Sequence, residues 1–279
     1  MNRVPVVFIH GLWLHSASWD PWVDYFAAHG FDALAPGWPQ EPVTVTGVRS
    51  HPVVPTEVGL EAVMSHYARI IGSLTEVPVL IGHSVGGLIA QKLIGMHIGR
   101  AAVAIAPACV GQAPSIRSCP ELCSQLCARR EAGDLTSSLP LTAEQFRYAV
   151  AGIITEQESA ALFQRYAIPS PGRLLLDLVG GADIGTARAA VNADDESRGP
   201  LLLISGQEDR MVPDAVTRAT YRLYGDSTAV TTFKQFADRA HSLTIDGGWR
   251  TVADYVLAWL RHQGVLHGRP GPRWFGDLT

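Results

Sequence analysis

Three side chains in this sequence have the types and the order needed to build an activated nucleophile: Ser84, Asp209 and His241. A serine hydroxyl is a weak nucleophile until a base takes its proton, and the base in turn needs an acid to orient it. Ser84 lies in Gly82-His83-Ser84-Val85-Gly86, a Gly-x-Ser-x-Gly pattern. The apolar run Val77–Ile81 precedes it and a helical pattern begins directly after it at Val85. A strand turning at once into a helix makes a sharp, strained bend that lifts the hydroxyl clear of the backbone. The helix N-terminus then faces the site and favours developing negative charge. Asp209 follows the apolar run Leu201–Ser205, and His241 follows Val230–Phe236. Each therefore falls in a loop after a strand. Glu208 is the alternative acid, while Asp238 reads as a loop-capping or solvated carboxylate.

Acyl transfer through a serine also needs two N–H groups to hold the oxyanion of the tetrahedral intermediate. Val85, next to the nucleophile, supplies one in this reading. The loop that closes the first strand, His10-Gly11-Leu12-Trp13, supplies the other, with Leu12 as the chosen donor. Trp13 is the tryptophan placed best to face substrate, because it sits in that loop. His15 has two readings, one in the substrate pocket and one as a helix cap. His83 is expected to pack beneath the nucleophile, and His29, His51, His66, His97, His262 and His267 to lie at the surface or behind the site.

The elements that must hold these residues follow from hydrophobic spacing. Val4–His10, Phe31–Ala35, Val77–Ile81, Ala101–Ala106, Leu201–Ser205 and Val230–Phe236 read as six strands. Nearly continuous apolar runs such as Val4–Ile9 suit strands covered on both faces. Helical periodicity marks Trp19–Ala28, Leu60–Leu74, the stretch from Val85, Val212–Tyr224 and Trp249–Leu260. Residues 40–57, rich in Pro, Thr and Val, read as loop. Strands alternating with helices predict an α/β protein with a doubly wound, mainly parallel sheet. Residues 107–200 interrupt the alternation and must carry structure of their own. The expected division is a core of residues 1–106 and 201–263, a helical lid over 107–200, and a Gly/Pro-rich tail over 264–279.

Apolar residues make up 47% of the 279 and charged residues 17%, which excludes a disordered chain. A net charge of −4 gives no general attraction to nucleic acid or anionic lipid. No apolar run reaches the roughly 20 residues needed to span a bilayer. Val4–Ile9 is too short for a signal-peptide core, so a cytoplasmic location is expected. The four cysteines are Cys109, Cys119, Cys123 and Cys127. The last three share one helical face and lack Cys-x2-Cys or His partners, so they read as buried small hydrophobes rather than metal ligands. No metal or cofactor is called for.

The segments HGLW, GHSVGG, SGQEDRMVP and RAHSL, in that order, are similar to those of the α/β-hydrolase superfamily. The likeness is to its small, lidded, esterase-like members and covers roughly residues 4–110 and 198–262. It implies Ser84 as nucleophile, Asp209 as acid, His241 as base, and Leu12 and Val85 as oxyanion donors. The opening from His10 to Trp19 also resembles plant-type methyl esterases and hydroxynitrile lyases. The leading antiparallel hairpin of larger members is missing. The expected function is cofactor-free hydrolysis of a small to medium, fairly apolar carboxylic ester through an acyl-enzyme. One alternative is a lyase or biosynthetic enzyme using the same triad for proton transfer or C–C bond chemistry. A ligand-binding receptor on the hydrolase scaffold is the other. The expected partner is a small-molecule substrate, not nucleic acid or membrane.

Overall fold

Valine-rich β1 (Pro5–Ile9) is buried at every residue and alternates its side chains between two cores. Val7 and Ile9 enter one, Val6 and Phe8 the other. This two-residue period on a strand covered on both faces explains why the sequence shows a continuous apolar run rather than alternation. The computed structural model describes residues 3–50, 58–108, 124, 128, 131, 138–179 and 191–265. Within them, β1, β2 (Asp32–Leu34), β3 (Val79–His83), β4 (Ala101–Ile105), β5 (Leu201–Gly206) and β6 (Thr231–Phe236) form one sheet in the order β2-β1-β3-β4-β5-β6. Every pairing is parallel, with Val7 beside Leu80, Gly82 beside Ala104, and Ile105 beside Ile204.

Helices cover both faces. On one, α1 (Asp20–Ala28) lies against α9 (Trp249–His262). They contribute Trp22, Phe26, Val252, Val256 and Leu260 to the core beneath Phe8, Ile81 and Ile204. On the other face, α3 (Leu60–Gly72) and α4 (Val85–Gly95) bring Val63, Tyr67, Leu88 and Leu93 onto Leu80, Ala102 and Leu203. Full burial of one such aliphatic side chain stabilises the fold by roughly 1.5–3 kcal/mol.

Between β4 and β5 the described residues include α5 (Ala143–Ala149), α6 (Glu156–Tyr166) and α7 (Gly172–Val179). Thr142 and Gln145 form a reciprocal capping box at the start of α5, and Thr155 caps α6. The segment is joined to the sheet side by backbone pairing of Leu14 with Ala167. Helix α8 (Asp214–Leu223) follows β5, with Pro213 as its N-cap.

Two expectations are corrected here. Residues 40–57 are not all loop, because α2 occupies Val45–Ser50. Its first turn is capped by the Thr44 hydroxyl, which accepts from Gly47 N–H at 3.0 Å. Its Arg49 guanidinium donates to the Phe163 and Ala167 carbonyls at the end of α6, a tertiary contact without a local periodic signal. Trp19 lies in a 3-10 turn, Ser16–Trp19, one residue before α1 begins. All four cysteines and the tail beyond Val265 fall outside the described residues. Among those residues no helix is long and apolar enough to cross a membrane.

Candidate active site

Ser84 sits at the bend between β3 and α4 with φ 55° and ψ −119°, a backbone conformation that side chains other than glycine rarely adopt. Holding it there costs on the order of 1–3 kcal/mol, which the surroundings must offset. Its N–H donates to the Ile105 carbonyl at 2.9 Å, and its carbonyl accepts from Gly87 and Ala108, each at 2.9 Å. The bend also needs small neighbours. A methyl group on Gly86 would stand 2.0 Å from the Ile9 carbonyl oxygen, and one on Gly11 would stand 2.7 Å from the Ser84 Cβ. These close approaches press the end of β1 and its loop against the serine.

The loops after β5 and β6 meet over this bend. Asp209 Oδ2 accepts from His241 Nδ1 at 2.7 Å, and Oδ1 accepts from the Val212 N–H at 2.7 Å. Both side chains are almost fully buried. The carboxylate is thus fixed at both oxygens, and the His241 ring is fixed at Nδ1, leaving Nε2 as the lone-pair nitrogen. Glu208, the alternative acid, is exposed, and Asp238 is solvated beside Arg239. Among the described residues Ser84 Oγ makes no hydrogen bond; such contacts often tighten only when substrate binds.

His83 does more than pack. Its ring lies 4.5 Å from the His241 ring, and its Nε2 donates to the His241 carbonyl at 2.9 Å. Burial, and then the neighbouring His241, push its pKa well below the ordinary histidine value. It is therefore a neutral, single-proton donor that pins the backbone of the His241 loop. Ser242, the next residue, donates its N–H to Val150 of the inserted segment and its hydroxyl to the buried Asp246 carboxyl. Burial raises the pKa of Asp246.

The β1 loop carries the remaining predicted residues. Among the described residues neither the Leu12 nor the Val85 N–H has a backbone partner in a turn, loop or cap. Trp13 is buried at φ 61°, and its indole donates to the Leu139 carbonyl at 2.9 Å. His15 caps the Ser16–Trp19 turn: Nδ1 accepts from Ala17 N–H at 3.0 Å, and Nε2 donates to the Pro42 carbonyl at 3.0 Å. Both ring nitrogens are engaged, so the cap reading holds and the ring does not present a free nitrogen to a pocket. His29 and His66 bond to the Tyr25 and Gly37 carbonyls, His97 pairs with Asp195, and His262 ends α9.

Glu41 was not singled out by the sequence. It is buried with Oε2 3.1 Å from His10 Nε2, at ion-pair distance but without hydrogen-bond alignment. Its Oε1 accepts from Ser16 N–H at 3.2 Å and stands 3.6 Å from His15 Nε2. Burial by itself would raise its pKa. The attraction of His10, then of His15 and the Ser16 amide, outweighs burial and holds it at about 2. One ionised carboxylate thus ties together the two ends of the β1 loop. Its only sequence context is the run Gln40-Glu41-Pro42, which carries no motif.

Residues 6–255 match the sequence profile described as "Alpha/beta hydrolase family". The chain belongs to the α/β-hydrolase family. Among solved structures it is similar to a monoacylglycerol lipase of Paleococcus ferrophilus, at 21% identity and TM-score 0.66, over 93% of this chain and 94% of that one. It also resembles an extracellular α/β-hydrolase from a Paenibacillus species, at 17% identity and TM-score 0.67, covering 91% and 98%. A methylesterase from Arabidopsis shares 15% identity at TM-score 0.65, covering 93% and 99%. No curated protein matches the sequence. Among the described residues no cluster of His, Cys, Asp and Glu has the form of a metal site.

Proposed function

We propose that this α/β-hydrolase cleaves a small to medium, fairly apolar carboxylic ester through an acyl-enzyme on Ser84. The observation that carries the reading is the buried 2.7 Å pair of His241 Nδ1 with Asp209, reached over the strained Ser84 bend. With Nδ1–H directed at Asp209, His241 Nε2 is the atom that takes the Ser84 proton as Oγ attacks the ester carbonyl. The N–H groups of Leu12 and Val85 hold the oxyanion. His241 then returns the proton to the departing alkoxide, the alcohol leaves, and water repeats the sequence to release the acid. No step calls for a cofactor.

The substrate class rests on the surroundings of the bend. Leu12, Trp13, Val85, Leu139, Phe146 and Met211 belong to one buried apolar cluster that joins the β1 loop to the segment between β4 and β5. That continuity suits an uncharged organic group and a segment acting as a lid. The test is turnover of p-nitrophenyl esters from acetate to octanoate. Wild type should hydrolyse them and Ser84→Ala should lose more than 10⁴-fold in kcat. A Ser84→Ala protein that retains its rate would favour proton-transfer chemistry instead, and tight binding without turnover would favour a receptor.

A further inference from the structure

The β1 loop is fastened at Trp13 by groups distant in the chain. Trp13 sits in the left-handed region at φ 61°, and the groups that fasten it come from the inserted segment more than 120 residues away. The Trp13 N–H donates to Ser170 Oγ at 2.7 Å, its carbonyl accepts from Ile168 N–H at 3.0 Å, and its indole donates to the Leu139 carbonyl. Two residues on, the His15 N–H donates to the Tyr166 carbonyl at 2.9 Å. Ser170 is itself fixed, because its N–H and carbonyl pair both ways with Leu139, at 3.0 and 2.8 Å. It is 1% exposed.

We propose that Ser170 is a positioning residue for the oxyanion hole. Its hydroxyl takes the Trp13 N–H and so sets the turn at Trp13, which in turn sets the peptide plane carrying the Leu12 N–H beside Ser84. Without that acceptor, the Trp13 N–H is a buried donor without a partner, a costly state that the loop relieves by rotating. Rotation misdirects the Leu12 donor, and oxyanion stabilisation depends on donors aimed in advance at the developing charge. The inserted segment therefore acts on the chemistry as well as on substrate choice.

The inference rests on the ester-hydrolase reading, and the experiment separates the two. Thr and Val have nearly the same volume, so Ser170→Thr and Ser170→Val carry the same packing change and differ in the acceptor. Both are compared with wild type on phenyl butanoate and its thionoester, phenyl thionobutanoate, with active enzyme titrated by a serine-directed phosphonate. Donors aimed at oxygen stabilise an oxyanion more than a thiolate-like sulfur, so a formed oxyanion hole prefers the ester. Ser170→Val should lose about tenfold in kcat on the ester with KM changed less than about twofold, and its ester-to-thionoester preference should fall by a similar factor. Ser170→Thr should keep the wild-type preference within about threefold. Equal preferences in the two variants, or an unchanged preference in an active Ser170→Val, would overturn the role of Ser170 while leaving the reaction in place. A wild type that turns over neither ester would overturn the ester-hydrolase reading itself.

Discussion

Asp209 accepts from His241 at one oxygen and from the Val212 N–H at the other, so its replacement separates charge and tautomer from fold. Asp209→Asn keeps both positions able to bond but offers a donor where His241 needs an acceptor. Its kcat is expected to fall by up to about 10⁴-fold with an unchanged unfolding midpoint, measured by steady-state ester hydrolysis beside urea denaturation. Glu208→Gln and Asp238→Asn should each stay within about threefold of wild type, since both carboxylates face solvent. His83 acts at one remove, by fixing the His241 carbonyl. His83→Phe keeps an aromatic ring but no donor, and should lower kcat by ten- to a hundredfold with little change in KM. Ser84, Asp209 and His241 were legible as candidates in the sequence because each falls in the turn or loop after a strand, in the order the proposed chemistry requires. Glu41 and Ser170 were not legible. Their partners lie 31 and 157 residues away along the chain, and a single carboxylate or hydroxyl beside proline has no local signature.

At the scale of elements, the β1 loop is held between two supports: Glu41 behind it and the Leu139–Ser170 pairing in front. The Glu41 support has a definite pH signature. A carboxylate whose pKa is held at about 2, below its ordinary 4.5, stabilises the fold fully above pH 4.5 and loses that contribution as pH falls from 4.5 to about 2. A displacement of that size corresponds to ~3 kcal/mol. Glu41→Gln should therefore lower stability at pH 5, below the ordinary histidine value, by up to about that amount in urea unfolding, and the gap to wild type should close as the pH falls from 4.5 to about 2. A gap independent of pH would contradict an ionised Glu41. The four inner strands β1, β3, β4 and β5 were legible to within a residue or two, because burial on both faces forces continuous apolar runs. Helix α2 was missed for a physical reason. It has six residues and one buried side chain, and it is anchored by the contact of Arg49 with the end of α6 rather than by its own periodicity.

At the scale of the whole molecule, the sheet carries Ser84, Asp209 and His241, the proposed nucleophile, acid and base, after the ends of β3, β5 and β6, and residues 138–179, between β4 and β5, bond to the loops around them. That segment is hydrogen-bonded to both flanks of the site, through Val150 to Ser242 and through Tyr166, Ile168 and Ser170 to the β1 loop. Exchanging residues 138–179 for the corresponding segment of another esterase should shift the preferred acyl length and also lower kcat on every substrate. A change in preference at unaltered kcat would show that the segment governs substrate choice alone. The activation of Ser84 is the step on which all of these effects depend. It is tested most directly by reacting the protein with a serine-directed alkyl phosphonate and mapping the adduct by peptide mass spectrometry. One phosphonyl group per chain on Ser84, absent from Ser84→Ala and strongly slowed in His241→Ala, is the result expected of an activated serine. An ester-hydrolysing wild type that takes no label, or that carries it on another residue, would contradict the assignment.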